Sequence, residues 1–174
     1  MAPAEIRLKR NRAWAFAIAL VVFVFDQAMK WLVIAPLNLR GQPEKTIQIT
    51  SFFNLHWVEN RGVSLGLFSA GSETGRWALV ALTAAIAIFV AVWMWRERSR
   101  DDSVALALIL GGALGNIVDR ARYGYVVDFA DLHFGDWRPF LVFNVADAAI
   151  TIGVLLLLVR ALLMRDGKRS KKED

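Results

Sequence analysis

The sequence predicts an all-α polytopic membrane protein: four transmembrane helices, with a small β-sheet element and a short amphipathic helix on the outer, periplasmic face. Three observations lead there. Hydrophobic residues make up 56% of the 174 residues, and the mean hydropathy is +0.41. They are gathered into blocks of membrane length instead of alternating with polar residues. The lysines and arginines behind the net charge of +5 stand at the ends of those blocks. A basic patch interleaved with aromatics, which nucleic-acid binding needs, is not present, so the charge reads as a topology signal and no nucleic-acid partner is expected.

A spanning helix needs about 20 mostly apolar residues, and four segments qualify, at about 14–34, 77–95, 104–121 and 140–163. Four spans place both termini on one side. Arg7, Lys9, Arg10 and Arg12 precede the first span, Arg96, Arg98 and Arg100 follow the second, and Arg165, Lys168, Arg169, Lys171 and Lys172 follow the fourth. By the positive-inside rule these faces, and so both termini, are cytoplasmic. The first span also resembles a secretory signal peptide, but Asp26 and Lys30 interrupt it and no small-residue cleavage site follows, so an uncleaved helix is expected. No Pro/Gly/Ser-rich linker divides residues 1–174, which are read as one membrane-embedded domain.

Between the first two spans, about 36–76, lie Thr46-Ile47-Gln48-Ile49-Thr50 and Phe52-Phe53-Asn54-Leu55-His56-Trp57-Val58. Their alternation and their β-branched and aromatic content predict short strands, bounded by Gly41, Pro43 and the turn signal Asn60-Arg61-Gly62. The connection between spans three and four, Val126 to Arg138, mixes Phe129, Leu132, Phe134 and Trp137 with Asp128, Asp131, His133 and Asp136. That mixture predicts the amphipathic helix, lying in the membrane interface.

The chemistry must come from oxygen and nitrogen groups, because there is no cysteine. Asp128 and Asp147 stand in apolar surroundings, where an ionised carboxylate is costly. Two carboxyls held close together cannot easily both ionise, and one retained proton is the starting state for hydrolysis by an activated water. In the first span Asp26 and Lys30 are four residues apart on one helical face, the spacing of a self-neutralising pair; Lys30 near the outer end of its span also has the reach to meet headgroups or a substrate phosphate. The third span reads Gly111-Gly112-Ala113-Leu114-Gly115-Asn116-Ile117-Val118-Asp119-Arg120, glycines spaced for close helix approach and then Asn116 and Asp119 on one face, with Arg120 beside them to neutralise Asp119 or another acid. A structural network and a catalytic one account for these three equally well. The fourth span repeats the spacing in Asn144-Val145-Ala146-Asp147. The topology gathers all these groups at the outer side.

Two histidines, no His-Glu-x-x-His and no phosphate-binding glycine loop argue against a metal site or a nucleotide cofactor. Ser64 with Lys30 as a serine-lysine pair has no local pattern behind it. A small transporter or proton channel is the alternative class, but it calls for acids spread through the membrane depth rather than gathered at one side.

Taken in order, Asp26-Gln27-Ala28-Met29-Lys30, Asn60-Arg61-Gly62, the Gly111 to Arg120 run, Val126-Val127-Asp128-Phe129 and Phe143-Asn144-Val145-Ala146-Asp147 make the whole chain resemble the lipoprotein signal peptidases, or signal peptidase II. The resemblance implies a monomeric aspartyl endopeptidase of the bacterial inner membrane. Such an enzyme removes the signal peptide from diacylglyceryl-modified prolipoproteins just before the lipidated cysteine, contacts membrane lipids and is inhibited by globomycin. It implies Asp128 and Asp147 as the catalytic pair, with Asn60, Gly62, Asn116, Arg120 and Asn144 supporting site and substrate. Asp119 remains the rival for the first acid. Val63-Ser64-Leu65 and Ala148 depart from the family's commoner residues without touching a carboxyl.

Overall fold

The computed structural model describes residues 3–62 and 73–170. Four helices dominate: α1 (Pro3–Ile34), α2 (Glu73–Arg96), α3 (Arg100–Tyr123) and α4 (Val145–Ser170). All four are long and apolar enough to cross a membrane. Between α1 and α2 lie β1 (Thr46–Gln48) and β2 (Phe53–Asn60), and between α3 and α4 lies β3 (Val126–Leu132). The Ser64 alternative falls outside the described residues, as do the Val63-Ser64-Leu65 departures.

The third helix is the axis of the bundle. Half of its apolar window is buried, against 22% for α1 and 17% for α2 and α4, so the other three lean on it and turn their remaining faces outward. Its glycines make this approach possible. A Cβ on Gly111 would lie 2.5 Å from the Ala19 carbonyl oxygen of α1, and one on Gly112 would lie 2.5 Å from the Ala146 carbonyl oxygen of α4. In a bilayer, where no hydrophobic drive exists between helices, such backbone-to-backbone packing supplies much of the association energy. Apolar side chains on the outer faces, among them Leu20, Phe89 and Leu155, are more than half exposed, as suits a lipid solvent.

Both ends of α3 are fixed by its own sequence. The Ser99 hydroxyl accepts from the Asp102 amide at the start, and Gly124 (φ 82°) terminates it in the left-handed conformation, donating its N–H to the Arg120 carbonyl. Arg76, in the first turn of α2, adds its guanidinium to the carbonyls of Arg120 (2.8 Å) and Ala121. The last carbonyls of α3 therefore find donors that the helix itself cannot supply.

The sheet caps the same end of the bundle, in the order β1-β2-β3 and antiparallel throughout. Thr46 faces His56, Asn54 faces Asp131 and Val58 faces Asp128, with an irregularity in β2 between Leu55 and Val58. Val33, Leu39, Trp57, Val127, Phe129 and Ala130 form its core against the end of α1.

The amphipathic helix expected over Val126 to Arg138 is not there: the segment begins as β3, and no helix follows before Val145. Val126 to Asp131 are all buried, so the polar and apolar residues that look like two helical faces are packed on both sides of a strand. Its backbone is paired with β2 on one side, while on the other the amides of Phe129 and Ala130 donate to the Phe143 carbonyl (3.0 and 2.8 Å). The fourth helix also starts later than its apolar run, at Val145 rather than near Phe140, because Asn144 caps it.

Candidate functional site

Eight polar residues of the spans and the sheet converge where α1, α3, β3 and the start of α4 meet. They divide into two groups. In the first, the Lys30 ammonium uses all three of its donors: on Asp26 Oδ2 (2.9 Å), on Asp119 Oδ2 (2.8 Å) and on Asn116 Oδ1 (3.1 Å). Lys30 is 2% exposed and Asp26 and Asp119 are fully buried, so Lys30 neither snorkels nor is open to a phosphate. Asp26 also accepts from the Ala146 amide (2.9 Å) in the first turn of α4, where the helix dipole favours an anion. Asp119 accepts from the Val127 amide (3.1 Å) and from Gln27 Nε2 (3.1 Å), which fixes the start of β3. Gly115 is required here, since a Cβ would meet Asp26 Oδ2 at 2.3 Å. Asp119 is thus neutralised by Lys30 across the helix interface. Arg120, its neighbour in sequence, makes no ion pair with it among the described residues.

The second group is built around Asn144. Its Oδ1 accepts from the Asp147 amide (2.9 Å), and its own backbone N–H donates to Asp147 Oδ2 (3.3 Å). This reciprocal pair is a capping box, with Asn and Asp in place of the usual Ser/Thr and Glu. The Asn144 side-chain amide then donates to Asp128 Oδ1 (2.6 Å). One asparagine therefore touches both carboxylates. Asn116 Nδ2 donates to the other Asp147 oxygen (2.8 Å), and since its own oxygen faces Lys30, the ammonium of the first group sets the orientation of the second.

The two acids differ in surroundings. Asp128 is 2% exposed on β3. Its carboxyl is pushed up to about 7, first by burial and then by the charge of Asp147, with Asn60, Asn144 and Lys30 pulling the other way. Asp147 is half-buried and lines a groove of about 290 Å³ with Phe140, Leu141, Phe143 and Ile152, open on the apolar side. Asn60 ends β2 beside Asp128, and its oxygen takes the Gly62 amide (3.0 Å), a turn that needs glycine because φ is 91° at Gly62. Arg120 feels Asp147, Asp128 and Asp119, in that order, and its buried Nε has no hydrogen-bond partner among the described residues.

Asp26, Lys30, Asn60, Gly62, Asn116, Asp119, Arg120, Asp128, Asn144 and Asp147 thus lie in or against one cluster. Three contributions went unread in the sequence. Gln27, inside the first motif, bridges Asp26, the Gly115 carbonyl and Asp119. Arg76 and the apolar groove beside Asp147 give no local sequence signal beyond a polar first turn and a run of phenylalanines.

A four-span bundle with carboxylates and amides concentrated at one end defines a multi-pass membrane protein with a polar site set in an apolar frame. The chain belongs to the signal peptidase II family of membrane proteases: the family model, described as signal peptidase (SPase) II, matches residues 18–163. It is 60% identical over 156 residues to a lipoprotein signal peptidase of Sphingopyxis alaskensis, covering 90% of this chain and 88% of that one. To the lipoprotein signal peptidase of Rhizorhabdus wittichii it is 57% identical over 158 residues, covering 91% of each. Among solved structures it is similar to a bacterial membrane enzyme determined by the in meso method at 2.3 Å, with TM-score 0.73 and 29% identity over 90% of this chain and 92% of the other. A second such enzyme, at 1.9 Å, gives TM-score 0.71 and 30% identity over 86% and 93%.

Proposed function

We propose that this chain is an aspartyl endopeptidase that removes the signal peptide from diacylglyceryl-modified prolipoproteins before the lipidated cysteine, with Asp128 and Asp147 as its catalytic pair. The observation that carries the reading is the single asparagine, Asn144, bound to both carboxylates, with one acid buried and shifted up to about 7 and the other facing a groove. In this reading the two carboxyls hold one proton between them. Burial favours the neutral form of Asp128, while Asp147, in the first turn of α4 and holding two donors, sits where an anion is stabilised.

In the proposed reaction the ionised acid takes a proton from a water molecule, whose oxygen attacks the scissile carbonyl carbon. The neutral acid donates its proton to the carbonyl oxygen. The tetrahedral species then collapses: the C–N bond breaks, the amine leaves with the proton that the first acid had taken, and one hydroxyl proton of the diol returns to the second acid as the new carboxyl group forms. The unpaired Nε of Arg120 and the amide of Asn60 are donors for the substrate backbone. The groove beside Asp147 offers apolar walls to a lipid-modified substrate. With the basic helix ends in the cytoplasm, the sheet and the site lie near the outer leaflet of the bacterial inner membrane, where an exported precursor arrives.

The test incubates the purified protein with a precursor peptide carrying a diacylglyceryl cysteine, with and without globomycin, and weighs the products. Cleavage on the amino side of the modified cysteine, blocked by globomycin, is expected. An intact precursor, or cleavage at another bond, sinks the reading.

A further inference from the structure

From the middle of the bundle towards the end away from the sheet, α1 and α2 touch only sparsely, both resting on α3, and a groove of about 470 Å³ remains between them. Ala19, Ala87 and Leu110 form its floor, each 5% exposed or less, while Leu20 and Ile88 stand at its rims, 60% and 65% exposed. Nothing polar from the catalytic cluster reaches it. Below its lower end lies Arg12. The guanidinium stacks on the Trp95 ring (4.7 Å to the centroid), and Phe16 packs on the same indole (6.2 Å). The Arg12 Nε is buried and has no hydrogen-bond partner, and no carboxylate pairs with Arg12 among the described residues.

We infer that this groove holds one acyl chain of an anionic glycerophospholipid from the leaflet at the basic end of the bundle, with its phosphate against Arg12. The dimensions agree. Arg12 to Phe23, which reaches the groove's upper part, is about 16 Å along a helix at the standard rise, and one leaflet of a ~30 Å apolar core is about 15 Å deep. The charge agrees as well: a guanidinium keeps its fork of donors free for a phosphate, and a tryptophan beside it sits at headgroup depth. A second groove at the same end makes the contrast. There, about 350 Å³ is lined by Val104, Leu156, Val159 and Leu163, but its arginine, Arg160, is already taken by Asp101 and Asp102, leaving no spare charge for a headgroup.

The experiment equilibrates the full-length protein in detergent with equal amounts of phosphatidylglycerol and phosphatidylcholine, separates it by gel filtration and counts the bound lipid by mass spectrometry. One phosphatidylglycerol is expected, preferred about fivefold, the effect of one basic side chain at a membrane surface. Arg12→Gln should remove the preference, Arg12→Lys should keep most of it, and Ala91→Phe, which fills the groove, should lower retention of both lipids. Should Arg12→Gln not fold, raising the salt to about 1 M, where the screening length falls to about 3 Å, should remove the preference of the unaltered protein. Equal retention of the two lipids, or a preference unmoved by Arg12→Gln in a folded protein, overturns the proposal; where that variant does not fold, a preference unmoved by salt does. So does retention unmoved by Ala91→Phe.

Discussion

Asp119 and Asp128 are nine residues apart, both buried at the same end of the bundle, yet they sit in opposite kinds of surroundings. Asp119 accepts from an ammonium, an amide side chain and a backbone N–H, and its charge is matched across the helix interface by Lys30. Asp128 accepts from asparagine amides, has no ion pair among the described residues and faces a second carboxylate instead. The lesson concerns partners more than burial. An acid whose donors include a buried cation holds elements together, whereas an acid set between a like charge and neutral donors is placed for proton transfer. The same division separates Asp26, locked to Lys30 and to the first turn of α4, from Asp147.

The comparison breaks most sharply on isosteric amides. Asp128→Asn and Asp147→Asn are each expected to lower cleavage of a lipid-modified precursor by about 10⁴-fold, the upper range for a positioned acid or base, while the protein still inserts and purifies. Asp119→Asn should act the other way round, lowering yield and thermal midpoint but leaving measurable cleavage. Complete inactivity of a well-folded Asp119→Asn protein, or near-normal turnover by Asp128→Asn, would reverse the assignment of roles.

Removing the cation is the next largest change. Lys30→Met leaves Asp26 and Asp119 buried without a counter-ion, and breaking a buried pair in this way costs about 3–5 kcal/mol. A large drop in thermal midpoint in detergent is expected, with activity falling as well, because Asn116 loses the contact that aims its amide at Asp147. A Lys30→Met protein of unchanged stability would show that the first group is not the structural one.

How far this division was legible in the sequence follows from what each contact needs. Asp26 with Lys30 is a contact within one helix, readable from a spacing of four. The four spans are readable because lipid demands continuous apolar runs, and β1 and β2 because one side of each alternates. Asp119 was not resolvable, since its true partner is on another helix while the tempting one, Arg120, is adjacent in sequence, and adjacent residues of a helix do not face each other. β3 was missed for a related reason: a strand buried on both faces and carrying Asp128 and Asp131 has no alternation to read. Asn144 could be placed next to Asp147 by its spacing, but its reach to Asp128 depends on where β3 runs.

Acidity gives a smaller effect with a definite sign. With the Asp128 carboxyl raised to about 7 in the folded protein, the folded state holds its proton where the unfolded chain, at the ordinary aspartate value, has lost it. Stability from this group is therefore fully present below about pH 4, is lost as pH rises towards 7, and does not change above that. Thermal midpoints measured from pH 4 to 9 should show this decline in the unaltered protein and lack it in Asp128→Asn. Cleavage should also decline above about pH 7, as the shared proton leaves the pair. A parallel pH dependence of the two midpoints would mean that another group is responsible.

The mildest test concerns neither group directly. Arg76 holds the carbonyls of Arg120 and Ala121 at the end of α3. A guanidinium at a helix C-terminus gains from both the free carbonyls and the helix dipole, so Arg76→Gln should cost about 1 kcal/mol. Arg120 itself would keep its side chain, and its place in the proposed site depends on the end of α3 staying helical. If Arg76 only closes the helix, Arg76→Gln lowers the thermal midpoint by a few degrees while KM and kcat for the precursor both stay within about threefold. If it positions the Arg120 guanidinium, kcat falls with KM unchanged, because the lost contact is then one made in the transition state. The geometry favours the first outcome: both bonds from Arg76 end on backbone oxygens, and the Arg120 carbonyl is also held by the Gly124 amide.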